Sequence, residues 1–218
     1  MSYVHGKSII KIALAEDNLL IQDLLVPYLD AIENCKVVLQ AYNGKELIEK
    51  MRQKPNTELV IMDMKMPEMD GIEAARHIKS EFPETKIIFI SAFTNELACC
   101  RVISTGADGF INKSSQAAEF KKAIYGVMKN ADYFYDGFSG NSIRRVIGNG
   151  RKGKIELSPE ELLFLKLACT EKTYQAIAIE MKNTPRHIDY IRQGLFEKFD
   201  LNNRVELALF ASNGGLMV

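Results

Sequence analysis

Five polar residues of the types that bind a metal ion and a phosphoryl group stand at the ends of short apolar runs. Glu16 and Asp17 follow the first run, Asp63 follows the third, Ser91 ends the fourth, and Lys113 follows the fifth. Three crowded carboxylates repel one another, and a hard divalent cation with oxygen ligands, most naturally Mg²⁺, relieves that repulsion. A carboxylate beside bound Mg²⁺ can attack a phosphoryl donor while an ammonium group and a hydroxyl bind the transferring oxygens. The residue types therefore predict that Asp63 accepts a phosphoryl group at a magnesium site.

A switch can be built around the same residues, with Lys113 and Ser91 as the groups that bind phosphoryl oxygens. A phosphorylated Asp63 has new charge and new acceptor oxygens, which can draw the Ser91 hydroxyl inward and leave space for an aromatic ring. Phe110, three residues before Lys113, is the candidate ring. Each residue alone is weak support, because acids after strands often cap helices and lysines usually lie on the surface. Their joint occurrence at the ends of four strands favours a phosphoryl-accepting site.

The elements that must position these residues alternate regularly along the first 130 residues. Short β-branched runs predict strands, and longer stretches with apolar residues at helical spacing predict helices. The predicted strands are Ile9–Ala15, Lys36–Ala41, Glu58–Met62, Lys86–Ser91 and Gly109–Asn112. The predicted helices are Leu19–Ala31, Gly44–Gln53, Gly71–Glu81, Glu96–Thr105 and Ser115–Lys129. Strict alternation predicts an α/β fold with a doubly wound, flavodoxin-like, five-stranded parallel sheet, whose reactive crevice lies at the carboxyl ends of the strands.

The pattern changes after residue 130. Recurrent glycines predict a linker over residues 131–155, and its basic residues are compatible either with a solvated linker or with a strip that contacts phosphates. Those basic residues are Arg144, Arg145, Arg151, Lys152 and Lys154. Only helices are predicted beyond the linker, at Pro159–Cys169, Thr173–Met181, Thr184–Phe199 and Arg204–Ser212. They predict a separate all-α domain of four helices.

A helix-turn-helix is predicted inside this domain, from the short helix, tight turn and longer helix over residues 172–192. Ile188 and Ile191 would face the core, and Thr184 would cap the second helix, whose outward face would meet a major groove. The predicted DNA-binding residues are Thr184, Arg186, His187, Asp189, Tyr190, Arg192 and Gln193. Acidic residues slightly outnumber basic ones from Glu156 to Val218. Charge alone therefore leaves open an all-helical module that binds another protein instead of DNA.

Length and composition limit the class of protein. The 218 residues, 47% of them apolar and 26% charged, predict a soluble globular protein with two domains. No apolar run approaches the roughly 18 residues of a membrane span, and the first residues lack the pattern of an export signal. We therefore expect a cytoplasmic protein with no membrane partner. The four cysteines lack metal-ligand and disulfide patterns, so we expect them to be small, buried or half-buried hydrophobic residues.

Residues 7–130 resemble the receiver domain of bacterial two-component response regulators. The segments that carry the resemblance are Glu16-Asp17, Asp63–Gly71, Ser91-Ala92 and Gly106–Lys113. The resemblance implies that a sensor histidine kinase phosphorylates Asp63, and that Ser91, Phe110 and Lys113 couple phosphorylation to shape. It also implies a magnesium site formed by Glu16, Asp17, Asp63 and the backbone carbonyl of Lys65. Ser114 and Ser115 depart from the family pattern after Lys113, and we expect Ser115 to cap the last receiver helix.

Residues 156–218 resemble the LuxR-type helix-turn-helix of NarL/FixJ response regulators. The matching segments are Leu157–Glu161, Ala176–Ala178, Leu195–Phe199 and Asn203–Ala208. The resemblance implies binding to double-stranded DNA. We expect a homodimer after phosphorylation, because one recognition helix reads few base pairs. Asp189 and Ile191 stand where the family commonly has a basic residue and a histidine, so Arg186, Tyr190 and Arg192 are the strongest candidates for DNA contact.

The sequence thus predicts a phosphorylation-controlled transcription regulator that is not an enzyme. A receiver that controls a protein-interaction domain, with no DNA binding, is the alternative. A hydrolase that uses the same carboxylate pocket ranks last, because it requires turnover where the regulator requires a persistent acyl phosphate.

Overall fold

The structure, a computed structural model, describes residues 9–54, 56–92, 95–134 and 157–216. They form two compact units. The first unit runs to residue 92 and resumes from 105 to 135, and the second takes residues 93–104 and the chain from 136 onward. The part of the predicted linker from residue 135 to 155, including its five basic residues, lies outside the described residues.

A parallel sheet forms the centre of the first unit. Its strands are β1 (Ile10–Ala15), β2 (Cys35–Ala41), β3 (Leu59–Asp63), β4 (Lys86–Ser91), β5 (Gly109–Asn112) and β6 (Tyr133–Phe134). Their order is β2-β1-β3-β4-β5-β6, and each neighbouring pair is parallel. The first five strands have the order of a flavodoxin-like doubly wound sheet, which confirms the predicted fold class. The two-residue β6 was not predicted, because it falls at the start of the segment interpreted as linker.

Helices precede or follow each of the first five strands: α1 (Leu19–Asp30), α2 (Gly44–Gln53), α3 (Gly71–Glu81), α4 (Glu96–Ser104) and α5 (Ala117–Met128). The first three helices have side-chain N-caps, Asn18 on α1, Asn43 on α2 and Asp70 on α3. Each side chain accepts hydrogen bonds from backbone N–H groups in the first turn of its helix. The prediction that Ser115 caps α5 is wrong, because Gln116 occupies that position. Ser115 instead lies in the turn after β5, where its N–H donates to Asn112 O at 2.9 Å. Its hydroxyl oxygen is buried without a hydrogen-bond partner.

The second unit is entirely helical where the structure describes it. It combines α4 with four C-terminal helices, α6 (Pro159–Ala168), α7 (Tyr174–Glu180), α8 (Pro185–Phe199) and α9 (Arg204–Asn213). Ser158 and Glu161 form the reciprocal hydrogen bonds of a capping box at the start of α6. Phe164, Ile188 and Leu195 are fully buried in the common core. All four C-terminal helices lie within one residue of their predicted bounds.

Helix α4 contacts α9 and the residues after it through specific groups. Asn95 Nδ2 donates to Phe210 O at 2.5 Å, and Arg101 Nη1 donates to Gly214 O at 2.8 Å. Leu97 is fully buried, and a Cβ atom added at Gly214 would lie 2.4 Å from Leu97 Cδ2. A helix inside the predicted receiver range of 7–130 therefore packs with the C-terminal helices, an arrangement that helical periodicity alone does not reveal.

Within the part of the chain that the structure describes, no helix has the length and apolar character needed to cross a membrane. Cys35, Cys99 and Cys100 are buried and Cys169 is half-buried. These cysteines therefore lie where small hydrophobic side chains are expected.

The first residue of α3 is a glycine because the helix begins against the backbone of β3. A Cβ atom at Gly71 would lie 2.2 Å from the carbonyl oxygen of Asp63 and 2.9 Å from a ring carbon of Phe89. We expect Gly71→Ala to lower the free energy of unfolding by about 2 kcal/mol, since neither buried neighbour can move freely. Urea denaturation monitored by circular dichroism measures the change.

The matched control is Gly126→Ala in α5, where an added Cβ atom meets nothing within 4 Å. Alanine is the better helix former, so this variant should gain up to about 1 kcal/mol. Equal effects of the two substitutions would contradict the close approach of α3 to β3.

Candidate functional site

Three carboxylates meet at the carboxyl ends of β1 and β3. The strands are neighbours, with Ala15 opposite Met62, so the residues that follow them share one edge of the sheet. One ligand oxygen from each of Glu16, Asp17 and Asp63 lies within 4.8 Å of the others. Glu16 and Asp63 are buried, whereas Asp17 is exposed. The structure thus brings together the three acidic residues that the sequence predicted.

Lys113 provides the positive charge of this pocket. Its Nζ lies 2.7 Å from Asp63 Oδ2 and donates to Glu16 Oε1 at 3.0 Å. The backbone places the side chain, because the N–H of Lys113 donates to Ser91 O at 2.9 Å and so fixes the residue directly after β5 against the end of β4. One ammonium group against three carboxylates leaves the pocket with excess negative charge.

Burial raises the pKa values of Asp63 and Glu16 above the ordinary range of carboxyl groups. Lys113 opposes that effect at both residues, and backbone N–H groups of Met64 and Lys65 also favour the charged form of Asp63. For Lys113 itself, burial lowers the pKa, but the hydrogen bonds and charges of Asp63 and Glu16 outweigh it and the pKa rises. The lysine therefore remains an ammonium group at neutral pH.

The donor set of the pocket fits a hard divalent cation. Glu16 Oε2 is buried and accepts no hydrogen bond, although Lys113 Nζ lies 2.9 Å away. Buried oxygen atoms without hydrogen bonds are costly unless a cation or a donor satisfies them. Together with Asp17 and Asp63, this oxygen offers the all-oxygen environment that Mg²⁺ prefers.

Ser91 and Phe110, the predicted switch residues, lie on neighbouring strands and are fully buried. Ser91 ends β4 opposite Asn112, and Phe110 in β5 lies opposite Phe89. Their positions are compatible with the predicted coupling, which stays a prediction. So does the role of the Lys65 carbonyl as a metal ligand.

Helix α8 presents the surface that the sequence assigned to DNA. Thr184 caps the helix by accepting the N–H of His187 at 3.2 Å, and the core side includes Ile188 and Ile191. The opposite side exposes Arg186, Asp189, Tyr190 and Gln193. Periodicity therefore predicted correctly which side of α8 is buried.

Two of the predicted DNA-binding side chains are held by neighbouring helices of the same unit. His187 Nε2 lies 3.0 Å from Glu160 Oε1 of α6, which also accepts a hydrogen bond from Asn183 Nδ2 at 2.8 Å. The Arg192 guanidinium lies 5.1 Å from the centre of the Tyr174 ring, and its Nη1 lies 3.2 Å from Asp189 Oδ1. Glu160 and Tyr174 were not predicted from the sequence, because nothing in their local spacing marks contacts made across helices.

The family of the chain is shown by comparison with protein-family models. The model described as "Response regulator receiver domain" matches residues 12–125, more than half of the chain. The chain belongs to the response regulator family. The match covers Glu16, Asp17, Asp63, Ser91 and Lys113, so the geometric pocket and the family assignment coincide.

Similar response regulators align along nearly the whole chain. One is the "Response regulator GacA" of Pseudomonas syringae, 28% identical over 216 residues, with 95% of this chain and 98% of the relative covered. Another is the "Transcriptional regulatory protein LiaR" of Bacillus subtilis, 27% identical, with 95% and 99% covered. The similarity to these regulators thus extends well beyond residues 12–125.

Solved structures show the same fold. RcsB from Salmonella enterica serovar Typhimurium, bound to a promoter, superposes with a TM-score of 0.63 at 22% identity, covering 94% of this chain and 99% of RcsB. A LuxR-family response regulator from Aurantimonas has a TM-score of 0.55 at 25% identity, covering 58% of this chain and 89% of that protein. The likeness of fold extends over nearly the whole chain for RcsB and over 58% of it for the Aurantimonas regulator.

Proposed function

We propose that this response regulator is phosphorylated on Asp63 by a sensor histidine kinase and regulates transcription by binding DNA through α8. The observation that carries the proposal is the pocket of Glu16, Asp17, Asp63 and Lys113. It presents a carboxylate nucleophile beside a lysine whose ammonium group favours the ionised form of Asp63. The relatives are named as response or transcriptional regulators, and structures of RcsB include complexes with DNA, which favours DNA over another protein as the target of the second domain.

In the phosphorylation step, a carboxylate oxygen of Asp63 bonds to phosphorus as the bond from phosphorus to the kinase imidazole nitrogen breaks. The imidazole leaves with that electron pair. Lys113, 2.7 Å from Asp63 Oδ2, is placed to neutralise charge on the transferred group. Glu16, Asp17, Asp63 and the carbonyl of Lys65 would hold Mg²⁺, which when bound offsets charge on the phosphoryl oxygens. Asp63 itself is buried, which limits the access of water that could hydrolyse the acyl phosphate.

Phosphorylation would then change the shape of the receiver through Ser91 and Phe110. The new phosphoryl oxygens attract the Ser91 hydroxyl and Lys113, and Phe110 responds to space opened behind the serine. Phosphorylation favours one of two pre-existing states, as any ligand-like modification does. Four residues separate β4 from α4 and four separate α4 from β5, so both ends of α4 are linked to strands that carry switch residues.

A homodimer of the phosphorylated protein completes the proposal. Two recognition helices related by a two-fold axis read two half-sites and supply specificity that one helix lacks. Val205 and Leu209 on α9 are 69% and 58% exposed and, with Ala208, line an apolar groove beside Cys169. We propose this groove as part of the dimer surface. The cytoplasm, where kinase and DNA are both present, is the proposed location.

The proposal is tested by selection of binding sites from random double-stranded DNA with the full chain, with and without a small phosphodonor and Mg²⁺. We expect phosphorylated protein to enrich a site with two related halves, and binding to weaken as salt increases. The control is Asp63→Asn, which should show no response to the phosphodonor. Failure of the phosphorylated protein to enrich any sequence would contradict a DNA-binding output.

A further inference from the structure

An acidic side chain occupies the exposed face of α8, where the proposed function places DNA. Asp189 is the fifth residue of the helix, and its side chain is 54% exposed. Arg186, Tyr190 and Gln193 surround it on the same face, with Tyr190 74% exposed. A carboxylate facing the phosphate backbone would weaken binding, because every phosphate carries a negative charge. The same carboxylate facing base edges would instead accept hydrogen bonds from amino groups.

Arg192 forms an ion pair with Asp189. Its Nη1 engages Asp189 Oδ1 at 3.2 Å, three residues along the helix, while the Asp189 side chain stays half exposed. Arg192 is itself anchored, with 28% of its side chain exposed and its guanidinium against the Tyr174 ring of α7. Tyr174 in turn stacks on Phe164, which is fully buried. Contacts thus connect the Asp189 carboxylate to the core through Arg192, Tyr174 and Phe164. The ion pair with Arg192 favours some rotamers of Asp189 and partly offsets its charge.

Major-groove chemistry then selects the base. Cytosine presents an amino donor at N4, whereas guanine and thymine present the acceptors O6 and O4, which repel a carboxylate. Adenine presents its N6 amino group beside the acceptor N7, so one carboxylate oxygen gains a donor while the other meets an acceptor. Cytosine is therefore the base that best fits an aspartate in this position.

We propose that Asp189 is a specificity residue that selects cytosine at one position of each half-site, and that Arg192 and Tyr174 are positioning residues for its carboxylate. The inference rests on the proposed DNA-binding function. It gives Arg192 a role in orienting a base-reading group in place of the direct DNA contact expected from the sequence. It also explains how a second domain in which acidic residues outnumber basic ones discriminates among sequences, since hydrogen bonds to bases carry the discrimination.

The test compares sites selected from random DNA by the phosphorylated full chain and its Asp189→Asn and Asp189→Ala variants. The unmodified chain should prefer cytosine at one position of each half-site by about tenfold. Asparagine pairs with adenine N6 and N7, so Asp189→Asn should change the preference at that position alone from cytosine to adenine. Asp189→Ala should lose the preference there and bind random DNA more tightly, because a negative charge is gone.

Two further variants separate base reading from general effects of charge. Glu197→Gln removes another exposed acid of α8, eight residues nearer the C-terminal end, and should leave every base preference unchanged. Arg192→Met should weaken the cytosine preference without moving it to another base, an effect that a purely structural role would not produce. Circular dichroism confirms that each variant is folded.

The outcomes distinguish the inference from the function on which it rests. If the unmodified chain enriches no DNA, the DNA-binding function fails. If it enriches a site that lacks a preferred cytosine, DNA binding stands and the role of Asp189 is refuted. The same holds if both Asp189 variants select the same base as the unmodified chain at every position.

Discussion

Replacing Asp63 by asparagine is expected to abolish incorporation of phosphate from a small phosphodonor in the presence of Mg²⁺. The substitution keeps the shape of the side chain and removes the nucleophilic carboxylate, which no neighbour can replace. Glu16 is fully buried and paired with Lys113, and Asp17 is exposed at the end of β1. Mass spectrometry of the intact protein, or mobility on a phosphate-binding gel, measures the acyl phosphate.

Asp70→Asn is the matched control for Asp63→Asn. Asp70 caps α3 in the same loop by accepting the N–H of Glu73 at 2.8 Å, and asparagine caps helices equally well. This variant should be labelled like the unmodified protein, and chelation of Mg²⁺ should suppress labelling of both. Labelling of Asp63→Asn at the unmodified level would refute Asp63 as the phosphoryl acceptor.

The pocket could be predicted from sequence because its geometry follows from fold class alone. Short β-branched runs identify strands, parallel strands bring their carboxyl ends to one edge, and Asp63 and Lys113 end or follow such strands. The approach of Lys113 Nζ to Asp63 and Glu16 is then a consequence of strand order. Residues at positions fixed by regular secondary structure are thus accessible to sequence reasoning, provided that the alternation of elements is unbroken.

Contacts between helices were not accessible in the same way. The support of Arg192 by Tyr174, the pairing of His187 with Glu160, and the packing of Leu97 beside Gly214 each join residues far apart in the chain. Periodicity predicts which side of a helix is buried but does not specify the helix against which it packs. The two-residue β6 was not predicted for a related reason, because a strand that pairs with β5 at only two residues has almost no local sequence pattern.

Removal of the Lys113 charge, by Lys113→Met, is expected to produce the largest loss of stability among these substitutions in Mg²⁺-free buffer. Glu16 and Asp63 are buried and would lose their shared ammonium partner. Breaking a buried ion pair from one side leaves uncompensated charge, so we expect the free energy of unfolding to fall by about 3 kcal/mol at neutral pH. Urea denaturation in the presence of a chelator measures the loss.

Mg²⁺ and protons should both reduce the stability difference between Lys113→Met and the unmodified protein. A cation that binds the folded pocket stabilises it by mass action, and Mg²⁺ should stabilise Lys113→Met more than the unmodified protein, because the cation then faces unneutralised carboxylates.

Burial already raises the pKa values of Asp63 and Glu16, and loss of Lys113 removes the effect that opposes this rise. The folded variant therefore binds protons more readily than the unfolded chain. The loss in its free energy of unfolding, relative to the unmodified protein, should be greatest at neutral pH. This loss should shrink as the pH falls through the raised pKa values of the two carboxyl groups.

Lys122→Met is the control that separates the pocket from a general effect of lost charge. Lys122 pairs with Glu119 on the surface of α5, and its side chain is 68% exposed. Exposed pairs contribute little, so this variant should show almost no change in stability and no dependence on Mg²⁺. If Lys113→Met and Lys122→Met were equally stable in chelator, Lys113 would not be neutralising the buried carboxylates. If Mg²⁺ restores the stability of Lys113→Met and does not affect Lys122→Met, the cation and the lysine oppose the same excess of negative charge.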